Sequence, residues 1–217
     1  MSVRSLASAR SPPWSAVILS AGESKRFDGH PKALLEVGSQ PAIARIASVC
    51  ERAGADRTIA VLGPHRAEIE EKLAGRAVEV VENPDWSMGR TGSVQAGLRA
   101  LADSGSVLVW PVDHPFVRDS TVLRLLDASH RDPLAIWFVP SFRGGGGHPI
   151  LLREAAIPHV LALAPSAPLR SLLPELGPQV RHVPVEDAGV LENVDSFDAY
   201  WSALEAWRGR GGEQSGP

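Results

Sequence analysis

An α/β chain is predicted, a three-layer α/β/α domain built around a mostly parallel mixed sheet. Short, nearly continuous apolar and β-branched runs recur at Ala16–Leu19, Thr58–Leu62, Val78–Val81 and Val107–Val112, the pattern of strands covered on both faces. Between them, Pro41–Ala53, His65–Leu73 and Gly92–Ala102 space Ile, Leu, Val and Ala at helical intervals. Strand–helix alternation joins parallel neighbours by crossovers and lays helices on both faces of the sheet. The 217 residues are enough for one domain with a full core.

Taken in order, Met1 to Pro13 is rich in Ser, Ala and Arg and has no apolar signal region, so residues 1–13 are expected to form a mobile tail. The folded body is expected over 14–207, and the Gly-rich, polar stretch 208–217 as a second disordered tail. The first strand, Ala16–Leu19, stops at Ser20-Ala21-Gly22, a basic loop follows, and Lys32 stands just before Ala33-Leu34-Leu35. A strand that ends in small residues exposes backbone N–H groups, and Arg26 and Lys32 add two positive charges beside them. That combination suits a polyphosphate. Two familiar phosphate loops fail the test: no second glycine follows Gly22 at the dinucleotide offset, and no Ser or Thr follows Lys32 as a Walker loop requires.

Cys50 lies in the first helical stretch and reads as a buried, inert thiol. After the third strand, Asn83-Pro84 to Gly89 is a Pro/Gly loop delivering a helix with Thr91 or Ser93 near its start. The fourth strand runs into Pro111-Val112-Asp113-His114-Pro115. On residue type alone Asp113 is either a turn residue capping the helix that begins near Asp119, or an acid closing a strand at the crevice where such sheets bind ligands. The second half is less regular. Ala135–Pro140 and His148–Leu152 read as two strands joined by Gly144–Gly147, either a plain hairpin connection or a binding loop. Leu169–Leu173 and Phe197–Trp207 read as helices, Val180–Val185 as a strand, and Asp195 or Ser196 as the N-cap of the last helix.

Composition excludes several classes. The formal charge of −3 leaves no basic footprint for nucleic acid. A single cysteine allows no internal disulfide and suits a reducing cytoplasm. No apolar run approaches the roughly 20 residues that cross a bilayer, and the seven histidines show no paired zinc-ligand spacing.

The opening loop fits the pattern L-(A/S)-(A/G)-G-x-S-x-R-(F/M)-G-x-x-K-x-L-L, with one extra residue in Asp28-Gly29-His30-Pro31. It resembles the nucleotidyltransferases that activate the molybdenum cofactor, and more broadly the cytidylyltransferases of the same Rossmann-like, nucleotide-diphospho-sugar transferase fold. The resemblance runs from about Ser15 to Tyr200. It implies an enzyme that moves a cytidylyl group from CTP to a phosphorylated acceptor, most closely molybdopterin, and releases pyrophosphate.

Leu19, Ser20, Ala21, Gly22, Arg26 and Lys32 would then hold the triphosphate. Asn83, Gly89 and Ser93, in a segment matching S-(V/L)-x-x-G-L, would serve the ribose or base. Pro-Val-Asp-x-Pro assigns Asp113 to Mg²⁺, and Glu192–Phe197 resembles D-(I/V)-D-(S/T)-P-x-D, with Asn193 and Phe197 departing and Asp195 carried over as the second metal ligand. Gly147 and His148 match G-x-x-G-H-P, beside the acceptor. Leu19-Ser20-Ala21-Gly22 is nearer the L-A-A-G of cytidylyl enzymes than the L-A-G-G of guanylyl ones, although one methyl is worth only ~1–3 kcal/mol. The alternatives are a same-fold transferase using GTP or another NTP with a sugar, isoprenoid-precursor or phospholactate acceptor, and a non-catalytic NTP-binding module serving a molybdoenzyme.

Overall fold

The computed structural model describes residues 13–102 and 104–212. Its central sheet takes the order β10-β7-β9-β6-β1-β4-β5. The strands are β1 (Trp14–Ser20), β4 (Arg57–Leu62), β5 (Glu79–Glu82), β6 (Ser106–Pro111), β7 (Trp137–Phe142), β9 (Ile150–Leu152) and β10 (Val180–Pro184). A short β8 (Gly145–Gly146) folds back on β7, and β2 (Glu36–Val37) with β3 (Gln40–Pro41) makes a separate ribbon. The pairs β1–β4, β1–β6, β4–β5 and β10–β7 are parallel, while β9 runs antiparallel to both β6 and β7. The sheet is therefore mixed and mostly parallel. The glycine run joins β7 to β9 as expected, pairing Trp137 with Leu152.

The period-2 geometry of β1 divides the core. Ala16 and Ile18 point into one apolar cluster, and Val17 and Leu19 into the other. On the first face lie α1 (Ala42–Arg52), α2 (Arg66–Leu73), α4 (Asp119–Arg131) and α7 (Phe197–Gly209); on the second lie α3 (Arg90–Ala100), α5 (Ile157–Ala162) and α6 (Leu173–Leu176). Each fully buried residue such as Ile18 contributes roughly 1.5–3 kcal/mol. Gly97 lets α3 lie close on the sheet, since a Cβ there would collide with the Val17 side chain and sit 3.1 Å from Val61 Cγ2. That contact fixes where the start of α3 meets the strand ends. Cys50 is buried, and burial pushes its thiol up to about 12.

The last helix passes the expected end at Trp207. It runs to Gly209, and Arg210 closes on Glu192 through two ion-paired hydrogen bonds of 2.7 and 2.8 Å. Gly212 N donates to Trp207 O, so 208–212 belong to the folded body. Of the tails expected at 1–13 and 208–217, residues 1–12 and 213–217 lie outside the described residues. No helix among the described residues is long and apolar enough to cross a membrane.

Candidate active site

Strand order reverses at β1, whose neighbours are β4 on one side and β6 on the other. Ligands of such sheets bind outside the carboxyl ends of the strands at that point. Leu19 is in register with Pro111, and Val112 N donates to Leu19 O at 3.0 Å. The loop after β1 and the loop carrying Asp113 therefore leave the sheet side by side.

The first loop is anchored at both ends. Ser24 takes a left-handed conformation (φ 55), a 3-10 turn covers Lys25–Phe27, and Phe27 is buried against Phe197, with ring centroids 4.9 Å apart. Phe197, a departure from the family pattern, is thus the surface on which the loop rests. Asp28 and Gly29 turn the chain at φ 50 and 83, His30 N donates to Phe27 O, and Lys32 N donates to Ser24 Oγ at 3.1 Å. The extra residue before Lys32 is absorbed in this turn. Lys32 Nζ reaches over the Phe27 ring and donates to Asp195 Oδ1 at 2.7 Å. Arg26 Nη1 lies 4.0 Å from Asp195 Oδ2.

Asp113 is buried. Its loop is pinned from behind: Trp110 Nε1 donates to His114 O, and the buried Arg45 of α1 donates to the carbonyls of Pro115 and Val117. His114 Nδ1 donates to Asp113 Oδ1 at 3.0 Å, and Arg90 Nη2 donates to Oδ2 at 3.3 Å. Burial works against the Asp113 carboxylate. The hydrogen bond and charge of His114, followed by the charges of Arg90 and Lys32, outweigh burial and hold the group at about 2.

Asp195 comes from the far end of the chain. Val194 N donates to Asp113 O at 2.7 Å, which docks this segment beside the first carboxylate. Ser196 is the helix cap, its hydroxyl accepting from Ala199 N, which leaves Asp195 free to face the cleft. Asn193, the other departure, donates to Asp195 Oδ2 at 2.8 Å.

Leu19, Ser20, Ala21, Gly22, Arg26, Lys32, Ser93, Asp113 and Asp195 line one cleft of about 530 Å³. Two carboxylates open to one cleft, one of them held ionised, fit a hard divalent cation that completes its shell with water and phosphate oxygens. Asn83 does not reach this cleft. It is buried, donates to Ser93 Oγ at 3.0 Å and accepts from Asp85 N, so it sets the Ser93 hydroxyl from behind. Gly89 is also outside the cleft. Its φ of 142 and its packing serve the chain itself, because a Cβ there would collide with Pro165 O and lie 2.9 Å from Ser166 Cα.

Gly147 and His148 line a second cavity of about 550 Å³, walled largely by Trp137, Val139, Ile150, Leu169 and Leu173. A Cβ on Gly147 would collide with the Val190 carbonyl, while His148 N donates to Val190 O. The His148 ring meets His114 edge-on at 4.7 Å between centroids, and its Nδ1 is buried with no hydrogen-bond partner among the described residues. Burial, reinforced by the charge of His114, pushes the imidazolium of His148 down to about 3. It is neutral at ordinary pH.

Six cleft residues were not among the expected site residues: Ser24, Lys25, Trp86, Arg90, Pro111 and Val112. Arg90 matters most, because it lines both cavities and touches Asp113. The available signal was a lone basic residue at the start of a helix, after a glycine, in a loop already expected to open on the crevice.

Comparison with known proteins bears on the family and the fold. The bifunctional protein GlmU of Rhizorhabdus wittichii is 34% identical over 134 residues, covering 60% of this chain and 29% of that protein. The 2-C-methyl-D-erythritol 4-phosphate cytidylyltransferase of Geobacillus kaustophilus is 36% identical over 120 residues, 54% of this chain and 53% of that one. The matches thus span between about a third and half of the length of these curated relatives. Among solved structures, Rv0371C of Mycobacterium tuberculosis in complex with manganese superposes with a TM-score of 0.69 at 24% identity, covering 89% of this chain and 99% of that one. The molybdopterin-guanine dinucleotide biosynthesis protein A of Archaeoglobus fulgidus gives 0.65 at 18% identity, covering 90% and 99%. The family model described as MobA-like NTP transferase domain matches residues 16–181, which takes in β1, the loop after it, Asp113 and His148. The chain belongs to the MobA-like NTP transferase domain family.

Proposed function

We propose that this chain is a Mg²⁺-dependent nucleotidyltransferase that moves a cytidylyl group from CTP to a phosphorylated acceptor, most closely molybdopterin, with release of pyrophosphate. One observation carries the reading: Arg26 and Lys32 converge with Asp113 and Asp195 on a single cleft at the carboxyl ends of β1 and β6. Basic groups beside exposed backbone donors suit the β- and γ-phosphates, and paired carboxylates suit the metal that accompanies them.

In the reaction, an oxygen of the acceptor phosphate attacks the α-phosphorus. The bond from that phosphorus to the bridging oxygen breaks, and its electrons leave with pyrophosphate. The acceptor phosphate is already anionic, so no protein base has to take a proton. Lys32 and Arg26 hold the leaving pyrophosphate and stabilise the charge it gains, while the loop backbone keeps the triphosphate in line. Asp113 and Asp195 would hold Mg²⁺, which would supply neutralisation of charge on the phosphate oxygens. Arg90, shared by the two cavities, orients the acceptor phosphate at their boundary.

The base and acceptor are supported by different residues. Gly63 packs closely on Ala21, where a Cβ would collide with the Ala21 carbonyl, and the Ala21 methyl takes room beside the base. The apolar second cavity with Trp137 suits a flat ring system better than a polyol. The names of the family and of the Archaeoglobus protein, which refer to MobA and to molybdopterin, are consistent with that choice.

Pyrophosphate release measured with each of four NTPs, Mg²⁺ and a molybdopterin-type acceptor tests the reading. CTP is expected to give the highest turnover. Silence with every NTP, here and with sugar, isoprenoid-precursor and phospholactate acceptors, would remove the transferase assignment.

A further inference from the structure

Both carboxylates of the cleft already carry cations of this chain. Asp113 accepts from His114 and from the exposed Arg90, whose contact is long at 3.3 Å. Asp195 is held more tightly. Lys32 donates at 2.7 Å to one oxygen, Asn193 donates at 2.8 Å to the other, and Arg26 stands 4.0 Å away. The Lys32 side chain is 19% exposed and that of Asp195 45%, so this pair is partly screened, less than a bridge between two open side chains.

The same lysine is the group assigned to the triphosphate, and one ammonium cannot serve both partners at full strength. A divalent ion arriving alone at Asp195 would have to break a short charge-assisted bond and then lie beside an uncompensated ammonium. A triphosphate arriving with the ion offers Lys32 new oxygens as Asp195 passes to the metal. Asn193, where the family pattern has a carboxylate, adds a donor instead of a second negative charge, which deepens the preference for Lys32 over a lone metal.

We propose that Lys32 is an intramolecular counter-ion of Asp195, displaced when divalent metal and nucleoside triphosphate enter together, so that each raises the affinity for the other through this one lysine. The inference rests on the nucleotide and metal assignment made above. Such coupling is reciprocal by linkage and typically amounts to about 5–150-fold.

The test is Mn²⁺ binding to the full chain, followed by the electron paramagnetic resonance signal of free Mn²⁺, without and with CTP. Lys32→Met and Lys32→Gln are each expected to bind Mn²⁺ alone about tenfold more tightly than the wild type. The factor by which CTP tightens Mn²⁺ should fall at least about fivefold in both. Pairing of Mn²⁺ with CTP in solution is common to all proteins and cancels in that comparison. In an Asp195→Asn background, Lys32→Met should change Mn²⁺ affinity little, and circular dichroism reports that each variant is folded. Unchanged or weaker Mn²⁺ binding by both lysine variants overturns the inference, as does a gain that survives in the Asp195→Asn background. A wild type that binds Mn²⁺ with CTP while the lysine variants behave like it removes this inference alone. A wild type that binds neither overturns the functional reading with it.

Discussion

Replacing Asp113 by Asn separates catalysis from folding. The substitution keeps the shape of a buried side chain and removes one negative charge from the cleft. On the folding side, the amide oxygen can still accept from His114 Nδ1, now 3.0 Å from the carboxylate, and the long contact with exposed Arg90 is lost. Hydrogen bonds to charged groups contribute roughly 1.5–3 kcal/mol and neutral ones roughly 0.5–1.5, so about 1 kcal/mol of stability disappears. Relief from burying a charge offsets part of that. For a chain of this size the melting temperature should fall by no more than about 2–4 °C.

On the catalytic side, losing one preorganised electrostatic group costs about 100-fold or more, close to 3 kcal/mol of activation free energy. The activation effect exceeds the folding effect by about threefold in free energy, so a folded and nearly inactive protein is expected. The assay pairs pyrophosphate release under saturating CTP, Mg²⁺ and acceptor with thermal melting by circular dichroism. Turnover within about threefold of wild type, or a collapse in melting temperature that accounts for the lost activity, would exclude this role for Asp113.

Two further outcomes follow from the geometry. Gly89→Ala places a Cβ at φ 142 against Pro165 O and Ser166 Cα, and overpacking of this kind is expected to lower stability by roughly 1–3 kcal/mol; an unchanged urea midpoint would contradict it. His148 is held neutral down to about 3 by burial. An unfolded chain takes up that proton below about 6.5, so this contribution to stability is complete above pH 6.5 and is lost as pH falls toward 3, at up to ~1.4 kcal/mol per pH unit. Unfolding curves of the wild type between pH 6.5 and 5 should show this slope, and His148→Phe should flatten it. An equal slope in both proteins would show that His148 is protonated in the folded state.

Much of the fold was legible because local pattern reports burial directly. Runs such as Val107–Val112 read as strands covered on both faces, and each of the four early runs became a strand within a residue or two of its expected ends; the third, expected to be buried, lies at the sheet edge as β5 and is only half-buried. Asp113 was legible as an acid at the end of such a run, but residue type alone left it between a turn cap and a cleft acid, and its metal role came from the resemblance. Asn83 and Gly89 were placed correctly in the loop, but pattern alone could not tell a residue that touches the cleft from one that braces its wall. Both brace: one holds Ser93, the other packs on Pro165. The reach of the final helix was missed because Arg208–Gly212 looks like a tail until the Glu192–Arg210 pair is visible.

Local pattern alone set the α/β class, the small-residue loop at the end of β1, and the identity of the charged groups. Tertiary structure alone decided which of them meet. Lys32 and Asp195 are 163 positions apart and share a hydrogen bond, Val194 docks on the Asp113 carbonyl, β9 enters antiparallel between β6 and β7, and Arg90 lines both cavities. The physical reason is range. Helical and strand periods are set by neighbours a few residues away, whereas juxtaposition across a sheet is set by register and crossover, which no local period encodes.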